Sequence, residues 1–326
     1  MTVSVTAPDI APALELWPQL AGASARLINH SENQTYRIDT LARGCFMLRV
    51  HRTGYQSVPT IDSELAWLLA LRRDTPVPVP EPVAGGDGRL LQHFRTPDGT
   101  ERQAVLFHAI AGREPTLEDD LVSLFGTLGT YAARLHQHAI DWRRPDGFVR
   151  QSWQASTILD ADGLWGDWRL APEITWRNRA VLDRLDTTLW LRLADYGLDS
   201  ARYGLIHADM RLGNLLVEGN DVTLIDFDDC GFCWFTYDFA AAISFHETNP
   251  VMPALLAAWL KSYQAIRPLT AADIRSIDAM VMLRRMALLA WIGSHAETQL
   301  AQRHAPGFAD ATAELAERYL RGALWA

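Results

Sequence analysis

Lysine is almost missing from this chain. Of 30 basic residues only Lys261 is a lysine, so the other 29 are arginine. Chemistry that needs a lysine before position 261 must be done by arginine or not at all. Cysteine is scarce as well: Cys45, Cys230 and Cys233 are too few for a disulfide scaffold and fit a reducing compartment. Cys230 and Cys233 form a C-x-x-C, yet a zinc site wants a second pair and a thioredoxin-like site wants the motif opening a helix near the start of a small domain. Packing is the expected role. Positive charge is in deficit, 30 basic against 39 acidic side chains for a net −9. That argues against nonspecific binding to nucleic acid or to an anionic membrane, both of which need a positive field. Residues 1–110 hold 10 basic and 11 acidic side chains and the rest 20 and 28, so the acidic excess lies toward the C-terminus, where a cationic ligand would be favoured. The apolar run over 282–291 is cut by Arg284 and Arg285, and no segment is expected to span a membrane. Residues 1–20 lack a basic region and carry Asp9 and Glu15, so no secretory signal is read there and a cytoplasmic location is expected.

What is present is apolar surface. Hydrophobic residues make up 48% of 326, with 12 tryptophans, enough to bury a core in about two domains. Short β-branched or apolar runs at 34–40 and 45–51 predict a hairpin. Residues 61–73 then change to helical spacing, with Asp62 and Glu64 in the first turn. Four prolines in 75–83 permit only an extended connector, and runs at 89–94 and 102–108 predict two more strands. Beyond Gly112 the pattern becomes helical, over 117–138, 173–196, 237–246, 253–265, 271–292 and 308–320. Two short strand-like runs, 215–217 and 222–226, flank a Gly219-Asn220 turn. The fold class expected is α+β, with a mostly β lobe over 1–108 and a larger, mostly α lobe over 109–326.

The chemistry concentrates in His207-Ala208-Asp209-Met210-Arg211-Leu212-Gly213-Asn214 and, twelve residues later, Asp226-Phe227-Asp228-Asp229. Each acid follows an apolar run, where it can emerge from a core into a cleft. Phosphoryl transfer explains the pattern. It needs a carboxylate to orient the attacking hydroxyl and accept its proton, and hard oxygen ligands for the Mg²⁺ that bridges nucleotide phosphates. Asp209 suits the first task; Asn214 and Asp226 suit the second, since a hairpin between them can bring the two side chains together.

These motifs resemble the aminoglycoside phosphotransferase and choline kinase family of the protein-kinase-like fold, within it the homoserine-kinase and stress-response-kinase types. His207-Ala208-Asp209 stands where these kinases have their catalytic H-x-D, and Asp226-Phe227-Asp228 where protein kinases have D-F-G. The resemblance implies a bilobal kinase that uses ATP and Mg²⁺. It further implies that the β-strand lysine that contacts the phosphates is replaced by Arg49, with Glu64 as its partner acid, and that Ser31 and Asn33 occupy a glycine-free phosphate loop. Residues 107–112 resemble the hinge that meets adenine, Arg211 a basic residue facing the γ-phosphate, and Asp238 an acid that buttresses the catalytic loop; His207 is read as structural. Asp229, His246 and Glu247 are candidate acceptor-site residues that would put negative charge near a substrate amine.

The expected activity is transfer of the γ-phosphate of ATP to a hydroxyl of a small, amine-bearing metabolite of homoserine, choline or aminoglycoside type. The alternative is a protein Ser/Thr kinase of the stress-response type. Two further readings carry less: a nucleotide-binding pseudokinase, suggested by Arg49 and the glycine-free loop, and a haloacid-dehalogenase-type phosphatase, suggested by 224–228 but lacking the parallel α/β domain that would have to follow. Neither a nucleic acid nor a membrane is expected as a partner, and the sequence leaves the oligomeric state open.

Overall fold

The computed structural model of the chain describes residues 8–30, 33–41 and 43–325. They divide into two compact units: residues up to Gly112 together with Arg144–Val149, and Arg113–Arg143 together with Arg150 to the C-terminus.

The first unit is sheet-rich. It contains α1 (Ala11–Leu14), β1 (Ser24–His30), β2 (Gln34–Asp39), β3 (Cys45–Val50), α2 (Val58–Asp74), β4 (Pro82–Val83), β5 (Leu91–Arg95) and β6 (Glu101–His108). The strands form one antiparallel sheet in the order β1-β2-β3-β6-β4, with β5 also paired to β6. Alternation along β2 and β3 sends Tyr36, Ile38, Phe46 and Leu48 into a core that Trp17 closes, its indole N–H donating to the Val83 carbonyl at 2.9 Å. Helix α2 starts on a Ser57–Thr60 capping box with Pro59 in its first turn. The proline-rich connector is extended as expected, except that Pro82–Val83 pairs with β6.

The second unit is helical. It holds α3 (Leu121–Asp141), α4 (Ala155–Leu159), α5 (Trp176–Tyr196), β7 (Tyr203–Ile206), β8 (Leu215–Glu218), β9 (Asp221–Leu224), β10 (Gly231–Trp234), α6 (Tyr237–Ala242), α7 (Met252–Gln264), α8 (Ala271–Ser294), α9 (Gln299–His304) and α10 (Phe308–Leu320). Helices α3 and α7 pack closely at Gly129, where a Cβ would strike the Trp259 carbonyl. Helix α8 is buried continuously from Ala279 to Ile292, so Arg284 and Arg285 must find partners inside the protein. Strands β8 and β9 form the expected hairpin, with Gly219 at φ +61° in its turn. The ladder of β7 with β10 was not legible in the sequence. The helix expected over 237–246 ends at Ala242, because the chain turns sharply through Phe245 at φ +71°. Cys230 and Cys233 are buried and not joined in a disulfide. Among the described residues no helix is long and apolar enough to cross a membrane.

Candidate active site

In the second unit the site begins where β7 delivers His207-Ala208-Asp209 out of the core. Asp238, at the start of α6, holds this loop by its backbone: its Oδ1 accepts from the Ala208 N–H at 2.7 Å and its Oδ2 from the His207 N–H at 3.3 Å. Ala208 sits at φ +66°, a conformation costing roughly 1–2 kcal/mol for a residue with a Cβ, so the turn depends on that anchor. His207 is fully buried and ties the loop to the next segment. Its Nδ1 accepts from the Asp209 N–H at 3.2 Å, which leaves Nε2 to donate to the Ile225 carbonyl at 3.1 Å. Burial holds its pKa below the ordinary histidine value despite the charges of Asp238 and Asp209. A neutral ring with those two bonds is a structural latch.

The structure brings Asp209, Arg211 and Asn214 together. The Asn214 amide donates to Asp209 Oδ2 at 2.6 Å and to the Asp209 carbonyl at 2.9 Å, and Arg211 Nε approaches the same Oδ2 at 3.3 Å. Gly213 leaves room for the Arg211 guanidinium, which a Cβ there would strike. With its NH₂ committed to Asp209, Asn214 keeps its amide oxygen as an acceptor. The β8–β9 register continues past the strands, the Ile225 N–H donating to the Asn214 carbonyl at 2.9 Å. Asp226 therefore lies one residue beyond the partner of Asn214, exposed and at φ +61°.

An uncharged amide oxygen and one exposed carboxylate are hard donors that fit Mg²⁺, which usually takes one or two carboxylates and completes its shell with water and substrate phosphates. Among the described residues no group of three or more His, Cys, Asp or Glu is arranged to hold a metal alone.

The residue that sequence reading missed is Arg284. From the middle of α8 its Nη2 donates to Asp209 Oδ1, its Nε to Ser244 Oγ at 2.9 Å and its Nη1 to the Ala208 carbonyl at 3.4 Å. Burial alone would raise the Asp209 pKa, but the Arg284 and Arg211 guanidiniums outweigh it and hold the carboxyl below the usual range. The signal available in the sequence was a pair of arginines inside an apolar helical run.

The acceptor candidates separate. Asp229 is half-buried, its carbonyl accepting from the Trp153 indole at 2.8 Å and its charge felt by Arg284. His246 is half-buried in the turn after α6, and burial lowers its pKa. Glu247 is instead an interior residue, its Oε2 accepting from Arg285 Nη1 at 2.8 Å with both side chains at 3% exposure or less. Its negative charge is matched by that arginine, which corrects its place among residues that would meet a substrate amine.

In the first unit Arg49 on β3 is buried, and its Nη2 bridges both carboxylate oxygens of Glu64 on α2 at 2.8 Å. The expected strand, helix and acid are thus physically paired. Asn33 is buried, and its Oδ1 accepts from the Arg52 N–H at 3.1 Å. Ser31 lies outside the described residues.

Against known proteins, the model of a family described as the phosphotransferase enzyme family matches residues 24–272. A solved microcompartment-associated aminopropanol kinase is 41% identical with a TM-score of 0.87, over 95% of this chain and 96% of that one. The amicoumacin kinase hAmiN, solved with AMP-PNP, Ca²⁺ and Ami, shares the fold at a TM-score of 0.73 and 21% identity, over 93% and 91% of the two chains. A homoserine kinase of Gluconobacter oxydans is 26% identical over 74% of this chain and 75% of its own.

Proposed function

The chain belongs to the phosphotransferase enzyme family and is a small-molecule kinase with a protein-kinase-like, α+β fold, and on that premise we propose that it transfers the γ-phosphoryl group of ATP to the hydroxyl of a short amino alcohol. The observation that carries the proposal is the Asp209 carboxylate. Three side chains fix it, yet 13% of its side-chain surface stays open. The likeness to an aminopropanol kinase at 41% identity over nearly the whole chain supports a small acceptor bearing an amine.

In this reading Asp209 orients the acceptor hydroxyl toward the phosphorus and takes its proton. Because arginines hold the carboxylate in its ionised form, proton transfer is late, as a loose phosphoryl-transfer transition state allows. Arg211, beside Asp209, supplies positive charge for the transferring group. Asn214 and Asp226 would hold Mg²⁺, which when bound neutralises charge on the nucleotide phosphates. Arg49, oriented by Glu64, would meet the phosphates, with Asn33 and Ser31 in the phosphate loop. Asp229 and His246 would face the amine.

The test is acceptor-dependent ADP release with MgATP, screened over 1-amino-2-propanol, ethanolamine, homoserine, choline, an aminoglycoside, amicoumacin and a generic protein substrate. A short amino alcohol is expected to give the highest kcat/KM. Preference for the protein would replace this reading with the protein-kinase alternative, and no stimulation by any compound would sink it.

A further inference from the structure

A carboxylate offers about four acceptor sites, two on each oxygen. On Asp209, Oδ2 takes the Asn214 amide and Arg211 Nε, while Oδ1 takes Arg284 Nη2. Three donors on four sites leave one, on Oδ1. The oxygen still free to receive an acceptor hydroxyl is therefore the one that Arg284 holds.

The same guanidinium reaches two strained places in the chain. Its Nη1 approaches the carbonyl of Ala208, at φ +66°, and its Nε donates to Ser244, the residue before Phe245 at φ +71°. Non-glycine residues in this region cost about 1–3 kcal/mol and persist where their surroundings over-determine them. Arg284 is itself immobilised. It is 3% exposed, lies over the Trp165 ring at 5.3 Å and the Tyr237 ring at 6.0 Å, and the Ser244 hydroxyl it contacts donates onward to the Ala241 carbonyl at 2.7 Å. Three acceptors in three directions require a planar fork, which a lysine ammonium cannot reproduce.

We propose that Arg284 is a positioning residue for phosphoryl transfer: it fixes Asp209 Oδ1 where the acceptor hydroxyl must dock, and locks that oxygen to the Ser244–Glu247 turn. The inference rests on the role of Asp209 stated above. Arg285, the next residue, has a different task. It donates to Glu247, to Thr312 Oγ1 and to the Phe308 carbonyl, which secures α10 and the far end of the turn without touching Asp209. The two neighbours thus provide an internal comparison between positioning and stability.

The experiment compares Arg284→Lys, Arg284→Met and Arg285→Met in the full chain, with the acceptor that wild type uses best. Both Arg284 variants are expected to lose kcat on the order of 10²-fold, the scale set by misplacing a reacting group by an ångström, with KM for MgATP changed less than about threefold. Methylguanidinium added to Arg284→Met should restore part of kcat. Arg285→Met should lower the melting temperature at least as much while keeping kcat within about threefold and showing no rescue. In the Asp209→Asn background, Arg284→Lys should cost less than about threefold more, since its effect passes through the carboxylate. Equal kcat losses in the 284 and 285 variants, absence of rescue, or full additivity with Asp209→Asn would each overturn the proposal. Should Arg284→Met not fold, Arg284→Lys and the double variant decide. Wild-type protein that turns over no acceptor would instead remove the underlying reading of Asp209.

Discussion

The His136 imidazole and the Asp238 carboxylate, 102 positions apart, meet at 3.0 Å with neither side chain exposed. On its other side His136 Nδ1 lies 2.9 Å from the Tyr263 hydroxyl, which accepts from Arg267 Nη1 at 2.9 Å. Because the tyrosine accepts from arginine, its own proton goes to His136 Nδ1, and Nε2–H donates to Asp238. A directed chain of donors therefore ends on the carboxylate that anchors the His207–Asp209 loop. His136→Phe keeps the ring volume but withdraws a donor from a buried acid. The expected loss is about 3 kcal/mol, read from urea unfolding, with kcat falling as Ala208 and His207 lose a fixed anchor. A change within 0.5 kcal/mol, of the order of an ordinary surface substitution, would contradict this network.

Burial lowers the pKa of His136 and His304 as it does those of His207 and His246. It lowers the pKa of His136 even against the charge of Asp238, and it pushes His304 down to about 4, with the neighbouring His246 adding to the effect. Unfolded histidine titrates near 6.5. Below that pH the unfolded chain takes up protons that the folded chain refuses, so the stability these residues contribute is fully present above about 6.5 and is lost as pH falls toward 4. Asp186 and Asp278, pushed up by burial, act in the opposite sense but only near the carboxylate range. The urea midpoint should therefore be lower at pH 5.5 than at pH 7.5, and the difference should shrink in His304→Asn. An equal midpoint at both pH values would rule this out.

Several of these features were legible in the sequence and several were not, for physical reasons. The β2–β3 hairpin, α2 and the β8–β9 hairpin follow from local periodicity, and the contact of Asn214 with Asp209 from spacing, because a short loop fixes their separation. Strands β7 and β10 are four residues each and pair across an intervening hairpin, too short to show a period. Arg284 reaches Asp209 from 75 positions away, a distance no local pattern spans; the only trace was a charge inside an apolar helix. Glu247 read as an acceptor-site acid because its countercharge, Arg285, lies 38 positions away on α8. The left-handed turn at Phe245 ended α6 early without a glycine or proline to announce it.

Arg49 and Glu64 make a pair that can be broken from either side. Glu64 is completely buried, so Arg49→Ala removes a countercharge from an interior carboxylate and should cost about 3–5 kcal/mol. Arg49→Lys keeps the charge in the place where the resembling kinases carry lysine. It is expected to retain most of the stability and to bind MgATP with KM within about tenfold of wild type. Differential scanning fluorimetry with and without MgATP separates the outcomes. A Lys variant as unstable as the Ala variant would show that the bridge to both Glu64 oxygens, rather than charge, holds β3 to α2.

Asp209 and Asp226 should fail in different ways although both are carboxylates on adjacent loops. Asp209 is enclosed by Arg284, Arg211 and Asn214, three donors on a group with about four acceptor sites. Asp209→Asn keeps the shape but halves the charged acceptor capacity, so acceptor-dependent ADP release should fall by about 10²–10⁴-fold, while MgATP still raises the melting temperature by mass action. Asp226 is exposed, one residue beyond the Asn214–Ile225 backbone pair. Its exchange to Asn should leave the unliganded melting temperature within a degree or two and instead abolish most of the MgATP shift, with partial recovery at high Mg²⁺. Titrating both variants with Mg²⁺ at fixed ATP distinguishes them directly. Loss of the MgATP shift in Asp209→Asn, or its survival in Asp226→Asn, would reverse the two assignments.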